Sequence, residues 1–187
     1  MEKKSTLSTK KIAFTALMAA LVVIGSALRV QLPISGGGTT AFHLGNIFCA
    51  LSGLLLGPWL GAAAAGVGSA LFDIMSNYAD EFLITFLTKG AYGLVVGLIA
   101  WTGTKEYNFG KALLSTTAGA ITYAILYLTK SYFYNGLHKQ GLTPSAAIFA
   151  VAAKIPATLF NAVVAIIIAP ILAIAIREGL KRAHIEL

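Results

Sequence analysis

The chain has 187 residues, 57% hydrophobic and only 11% charged, with a mean hydropathy of +0.80; soluble domains carry about 25% charged residues. That balance argues against a water-soluble enzyme and predicts a single integral membrane domain. The net charge of +7 then reports basic loops at one membrane face rather than a nucleic-acid footprint.

A basic head (Lys3, Lys4, Lys10, Lys11) precedes the first predicted span, residues 11–30. Its apolar run continues to Leu28 without a polar cleavage region, which favours a membrane helix over a signal peptide. Ala16 and Ala20 form a small-xxx-small spacing that permits close helix approach, either to a partner or within the bundle. Arg29 and Gln31 mark the far interface. Leu32-Pro33-Ile34-Ser35 and Gly36 to Gly38 predict a flexible loop, a lid or a plain connector.

Two short apolar segments follow, 42–57 and 59–75, joined at Gly57-Pro58. At 1.5 Å per residue each reaches only about 22 Å, less than the roughly 30 Å core of a bilayer. A tight turn between them brings their polar ends together, with His43 and Asn46 on one side and Asp73 and Asn77 on the other. Ser76 to Glu81 is a polar turn. Residues 82–102 form a span containing Lys89 and a close-packing face of Gly90, Gly93 and Gly97. After a polar loop at 104–111, residues 112–129 span again and lead into an aromatic belt (Tyr123, Tyr127, Tyr132, Phe133, Tyr134). Residues 130–143 read as a polar loop. The apolar run 145–176 would be roughly 48 Å long as a helix, one span bent at Pro156 and Pro170.

Orientation follows from lysine and arginine. The head, Lys105, Lys111, Arg177, Lys181 and Arg182 outnumber Arg29, Lys130 and Lys139 on the opposite loops. The positive-inside rule puts both termini in the cytoplasm. The expected fold is therefore all-α, one membrane domain over 1–187 with six transmembrane helices, and the polar ends face outward.

Ionisable groups inside spans are costly and face a cavity or one another. A convergent set is expected in the outer half: His43, Asn46, Asp73, Asn77, Lys89, Tyr92, Tyr123, Lys154 and Asn161. Such a set suits a small-ligand pocket; for the two lysines, an ion pair with Asp73 or snorkelling to the headgroups is the competing reading. His43, His138 and His184 are too scattered for a zinc site, and Cys49 is alone, so no disulfide framework exists. Gly103 to Gly110-Lys111-Ala112 departs from a P-loop in spacing and lacks its Ser/Thr. Ser69, among small residues, has no convincing histidine base. The expectation is a non-enzymatic protein with no cofactor or metal of its own and no paired halves of the kind rocking transporters use. It captures a small molecule and needs a partner to move it. A stand-alone channel or a structural membrane protein is the alternative of a different class.

With Ala16-Leu17-Met18-Ala19-Ala20 in the first helix, His43-Leu44-Gly45-Asn46 and Leu54-Leu55-Leu56-Gly57-Pro58, the chain resembles the substrate-capture subunits (S components) of energy-coupling factor (ECF) vitamin transporters. The resemblance covers nearly the whole length. It implies that Ala16 and Ala20 dock on a transmembrane coupling subunit (the T component) and that two ATPase subunits consume the ATP. It also implies a multi-pass protein of the bacterial plasma membrane. The runs Phe42 to Asn46 and Gly68 to Asp73 look most like the riboflavin or hydroxymethylpyrimidine branch. Trp59 and Trp101 fall on the cytoplasmic half, so no thiamine-type tryptophan cluster is expected. A hydroxymethyl-bearing pyrimidine or pyridine, stacked on Tyr92 or Tyr123 and bonded to Asn46, Asp73 and Lys89, is the first expectation. Pantothenate, suited by the two lysines and Arg29, is its rival.

Overall fold

In the computed structural model, which describes residues 8–34, 38–103 and 108–185, the chain is organised by a reversal at Gly57. Gly57 sits at φ 80°, ψ −172° inside the helical element α2, Gly45–Ile74, a backbone region open to glycine and closed to most other residues. Pro58 follows, and with no N–H it cannot continue the hydrogen-bond ladder. The two arms fold back on each other. A Cβ on Gly61 would lie 2.6 Å from the Cα of Gly53, and Cys49 Sγ lies 3.7 Å from Ser69 Oγ, twenty positions away in sequence. The tight turn expected from Gly57-Pro58 is what folds the molecule.

The carbonyl of Leu54, whose helical donor would have been Pro58, is satisfied from other elements. Trp101 Nε1 donates to it at 3.2 Å and Arg177 Nη2 at 2.6 Å. A buried carbonyl must find a partner, and these two long side chains reach the break from neighbouring helices.

The element α1, Thr9–Ala27, packs Met18, Ala19, Val22 and Gly25 inward. Ala16 and Ala20 lie on its exposed face, so they do not pack within the bundle. A hairpin follows that the alternation in so short a segment did not reveal. Strands β1 (Arg29–Pro33) and β2 (Thr39–His43) pair antiparallel, with Arg29 opposite His43 and Pro33 opposite Thr39. His43 therefore ends a strand, and the helix begins two residues later. Residues 36 and 37 of the expected glycine-rich lid lie outside the described residues.

A short 3-10 turn, Ala79–Glu81, leads into α3, Phe82–Trp101, which packs against the α2 hairpin through small residues. Cβ atoms on Gly53 and Gly93 would meet the carbonyl oxygens of Gly93 and Gly61 at 2.5 and 2.7 Å. Backbones approach that closely only where side chains are absent. Helix α4, Phe109–Lys130, does not end in a polar loop. It continues as a π-helical segment, Ser131–Lys139, the kind of distortion that often accompanies functional sites. The run 145–176 is two helices, α5 (Pro144–Ala152) and α6 (Ile155–Arg182), rather than one bent helix. Pro156 explains the break, because it removes the donor that Ala152 would need; Pro170 lies within α6 and leaves it continuous. Among the described residues, five helical stretches are long and apolar enough to cross a membrane: Thr9–Ala27, Gly45–Ile74, Ala79–Trp101, Phe109–Lys139 and Pro144–Arg182. The second of them is the folded hairpin.

Candidate ligand cavity

The open end of the α2 hairpin is polar where its turn is dry. Asn46 begins the first arm and Asp73 ends the second, so the reversal at Gly57 brings them to one level. Around them α1, the β-hairpin, α3, α4, the π-helical segment and α6 enclose a cavity of about 320 Å³. That volume is at the small end of the range for ligand sites, about 300–1,000 Å³.

Seven of the nine expected residues line it: His43, Asn46, Asp73, Lys89, Tyr123, Lys154 and Asn161. Two do not. Asn77 lies on the exposed turn after α2, one residue before Tyr78, which does face the cavity. Tyr92 is fully buried behind the wall, stacked on Tyr123 with ring centroids 5.7 Å apart. Among the described residues its hydroxyl has no hydrogen-bond partner. Tyr123 in turn stacks on Tyr127 at 5.7 Å, the pair being one helical turn apart on α4.

The lysines do not make the ion pair with Asp73 that was the competing reading. Lys89, 5% exposed, donates to Asn46 Oδ1 and stands 3.8 Å from the Tyr123 ring centroid. Lys154 donates to Ser131 Oγ at 3.4 Å and lies 5.7 Å from the Tyr127 ring. Among the described residues neither is within ion-pair distance of Asp73. Both ammonium groups are held by neutral dipoles and π-faces.

Asn161 has a structural task. Its Nδ2 donates to the Ala41 carbonyl at 2.8 Å, and its Oδ1 accepts from the His43 N–H at 3.0 Å. One amide thus pairs with the free edge of β2 as another strand would. Phe42 reinforces the joint, edge-on to Phe160 at 4.9 Å. On the other side Tyr78 holds the hairpin, its hydroxyl 2.6 Å from Gln31 Nε2 and 3.0 Å from Thr39 Oγ1. Arg29 lies over Phe72 and Tyr78, 4.7 and 5.2 Å from their centroids. The β-hairpin is fastened across one mouth of the cavity.

His43 Nδ1 accepts from the Gly45 N–H at 3.1 Å, which leaves the ring proton on Nε2 in the neutral imidazole. Burial, with the positive charges of Lys89 and then Arg29, pushes its pKa down to about 3. The imidazole stays neutral across the physiological range.

A carboxylate network that the sequence did not disclose closes the rim. Glu81, nearly buried, pairs with Lys130, accepts from Asn135 Nδ2 at 2.6 Å and lies 3.4 Å from Lys139 Nζ. Lys139 also pairs with Asp80 at 2.6 Å. Taken as a loop, 130–143 gave no reason to aim Lys130, Asn135 and Lys139 at one carboxylate; the helical continuation does so. Among the described residues, the cations facing the cavity are Arg29, Lys89, Lys130, Lys139 and Lys154, against the carboxylates Asp73 and Glu81. Five positive charges face two negative ones.

A family model described as "ECF-type riboflavin transporter, S component" matches residues 6–178. A protein of Pyrococcus woesei described as "Uncharacterized protein in gap 3'region" is 34% identical over 117 residues, covering 63% of this chain and 74% of that protein.

Proposed function

Because the chain belongs to the family of ECF-type riboflavin transporter S components, we propose that its cavity captures a small water-soluble vitamin or precursor outside the cell. The family is one of substrate-binding transporter components, not enzymes, and its work is vitamin uptake through an ECF transporter. In this reading the chain needs no cofactor, and two ATPase subunits supply the energy through a T component. The protein sits in the cell membrane of a bacterium, with six crossing segments and both termini in the cytoplasm. Support for the parity comes from the α2 fold-back, which returns the chain to the face it left. Support for a docking role comes from Ala16 and Ala20, which are exposed on α1 and offer a partner helix a shallow notch.

The observation that carries the capture reading is the cavity itself, a polar chamber inside an apolar bundle with Lys89, Asn46 and Asp73 on its wall. A hydroxymethylpyrimidine or pyridoxine-like ring is supported by the tyrosines Tyr123 and Tyr127. An acid such as pantothenate is supported by the excess of cations and is the better fit of the two. Riboflavin belongs in any panel because the family description names it.

The test is titration of the purified chain, without nucleotide, against these compounds by calorimetry and thermal shift. Saturable binding of at least one is expected. Ion flux through liposomes holding this chain alone, with no compound bound, would instead establish a channel.

A further inference from the structure

We infer that the captured molecule carries an acidic group, a carboxylate or phosphate, seated against Lys89 with Lys154 beside it. This deepens the capture reading and rests on it. Of the five cations that face the cavity, Lys130 and Lys139 are within ion-pair distance of Glu81. The other three, Arg29, Lys89 and Lys154, line the same cavity, and among the described residues none is within ion-pair distance of a carboxylate. Lys89, on α3, is the most deeply buried of the three, 5% exposed. A buried ammonium without a counter-ion is costly, and structures keep one where something else supplies the charge.

Donor counting points the same way. An ammonium has three N–H donors. Lys89 directs one to Asn46 Oδ1 and faces the Tyr123 ring with its charge. Lys154 directs one to Ser131 Oγ. Among the described residues each lysine therefore retains N–H donors beyond that one partner, and none of these contacts supplies negative charge. The two lysines stand over successive rings of one tyrosine ladder, Tyr123 and Tyr127, so their charges are aligned along the same wall. That placement also weighs against a neutral ring stacked on Tyr123. An ammonium 3.8 Å from the ring centroid already covers a face of it, and a planar ligand would have to displace the cation. A carboxylate or phosphate uses the cation where it stands, in charge-assisted hydrogen bonds.

The experiment compares three matched pairs on the purified full chain: pantothenate and panthenol, pyridoxal 5′-phosphate and pyridoxal, riboflavin 5′-phosphate and riboflavin. In any pair that binds, the acid member is expected to bind at least tenfold tighter than the neutral one. Lys89→Met should erase that preference, and Lys89→Arg should retain most of it, with melting temperature confirming that both variants are folded. A neutral member that binds as tightly as its acid, or tighter, overturns the inference while leaving the capture reading intact. An acid preference that survives Lys89→Met overturns the seat assigned to Lys89. If no member of any pair binds to folded protein, the capture reading fails for these compounds and the inference falls with it.

Discussion

Around Gly57 the α2 hairpin and α3 meet backbone to backbone through Gly53, Gly61, Gly93 and Gly97, with the orphaned Leu54 carbonyl covered by Trp101 and Arg177. At the other end of the same hairpin, Asn46 and Asp73 open onto a chamber of lysines, tyrosines and threonines. The first region is stabilised by shape and tolerates no added atom. The second places charge where a membrane protein would otherwise have none. A tight scaffold at the turn leaves the open end free to hold poorly compensated cations, because its helices are already fixed in position.

The largest effect should come from breaking the scaffold. A Cβ on Gly97 would meet Gly57 C and the Pro58 backbone at 2.5 Å, and backbone cannot swing aside as a flexible side chain can. Gly97→Val should cost about 3 kcal/mol through overpacking, a fall of about 6–12 °C in melting temperature for a chain of this size. Affinity per folded molecule should stay level. A variant that melts with the parent would show that the helices slide apart freely at the turn.

Next in size is the partner face. Ala16→Trp with Ala20→Trp fills the exposed notch on α1, so co-purification with a T component and ATP-dependent uptake should be lost. The cavity lies elsewhere, so solo affinity should change by less than about threefold, or roughly 0.7 kcal/mol. Normal assembly of the double variant would move the docking face to another part of the molecule.

Lys89→Met tests the chamber directly. Removing one charged hydrogen bond to the ligand should cost about 1.5–3 kcal/mol of affinity. Melting temperature should hold or rise, since a costly buried ammonium goes with it. A fall in melting temperature with unchanged affinity would make Lys89 a structural group and the two regions alike in kind.

These two regions were unequally legible in the sequence. Gly57-Pro58 between two short apolar runs announced the fold-back, because glycine can take the backbone angles a reversal needs and proline cannot continue the helix. His43, Asn46, Asp73 and Lys89 were readable as a set because polar groups in apolar runs are rare enough to be conspicuous. The β-hairpin was not readable: Val30-Gln31-Leu32 offers too few alternations, and β2 is held by Asn161, more than a hundred residues away. The rim was hidden for a related reason. Lys130 and Asn135 look solvated in a loop and converge on Glu81 only once Ser131–Lys139 is helical. Tyr92 and Tyr123 share a character in the sequence, but stacking puts one behind the other.

Asn161→Ala should have a moderate effect. It removes both amide bonds to β2, worth about 0.5–1.5 kcal/mol each, and leaves a strand edge unpaired. Loosening of the hairpin should appear as faster ligand release with a smaller change in association. An unchanged release rate would mean that the grip of Tyr78 on Gln31 and Thr39 holds the hairpin by itself.

The smallest effect on binding concerns His43, and the sign of its effect on stability separates the chamber from the rest of the protein. With the folded pKa near 3 against about 6.5 in the unfolded chain, the folded ring stays neutral while the unfolded one takes up a proton. Below pH 6.5 the unfolded state therefore binds more protons, and stability falls as pH drops toward 3, by at most about 1.4 kcal/mol per unit from this one group. Affinity at the cavity should not follow. For a ligand whose own groups do not titrate in the range, such as a carboxylate fully ionised above pH 6, the contribution of His43 should be flat between pH 6 and 8, within about twofold. His43→Gln, which keeps a neutral hydrogen-bonding side chain, should leave that profile unchanged and remove part of the acid-side loss of stability. A step in affinity near pH 6.5 that disappears in His43→Gln would mean that the imidazole titrates in the cavity after all, with water reaching it past the hairpin.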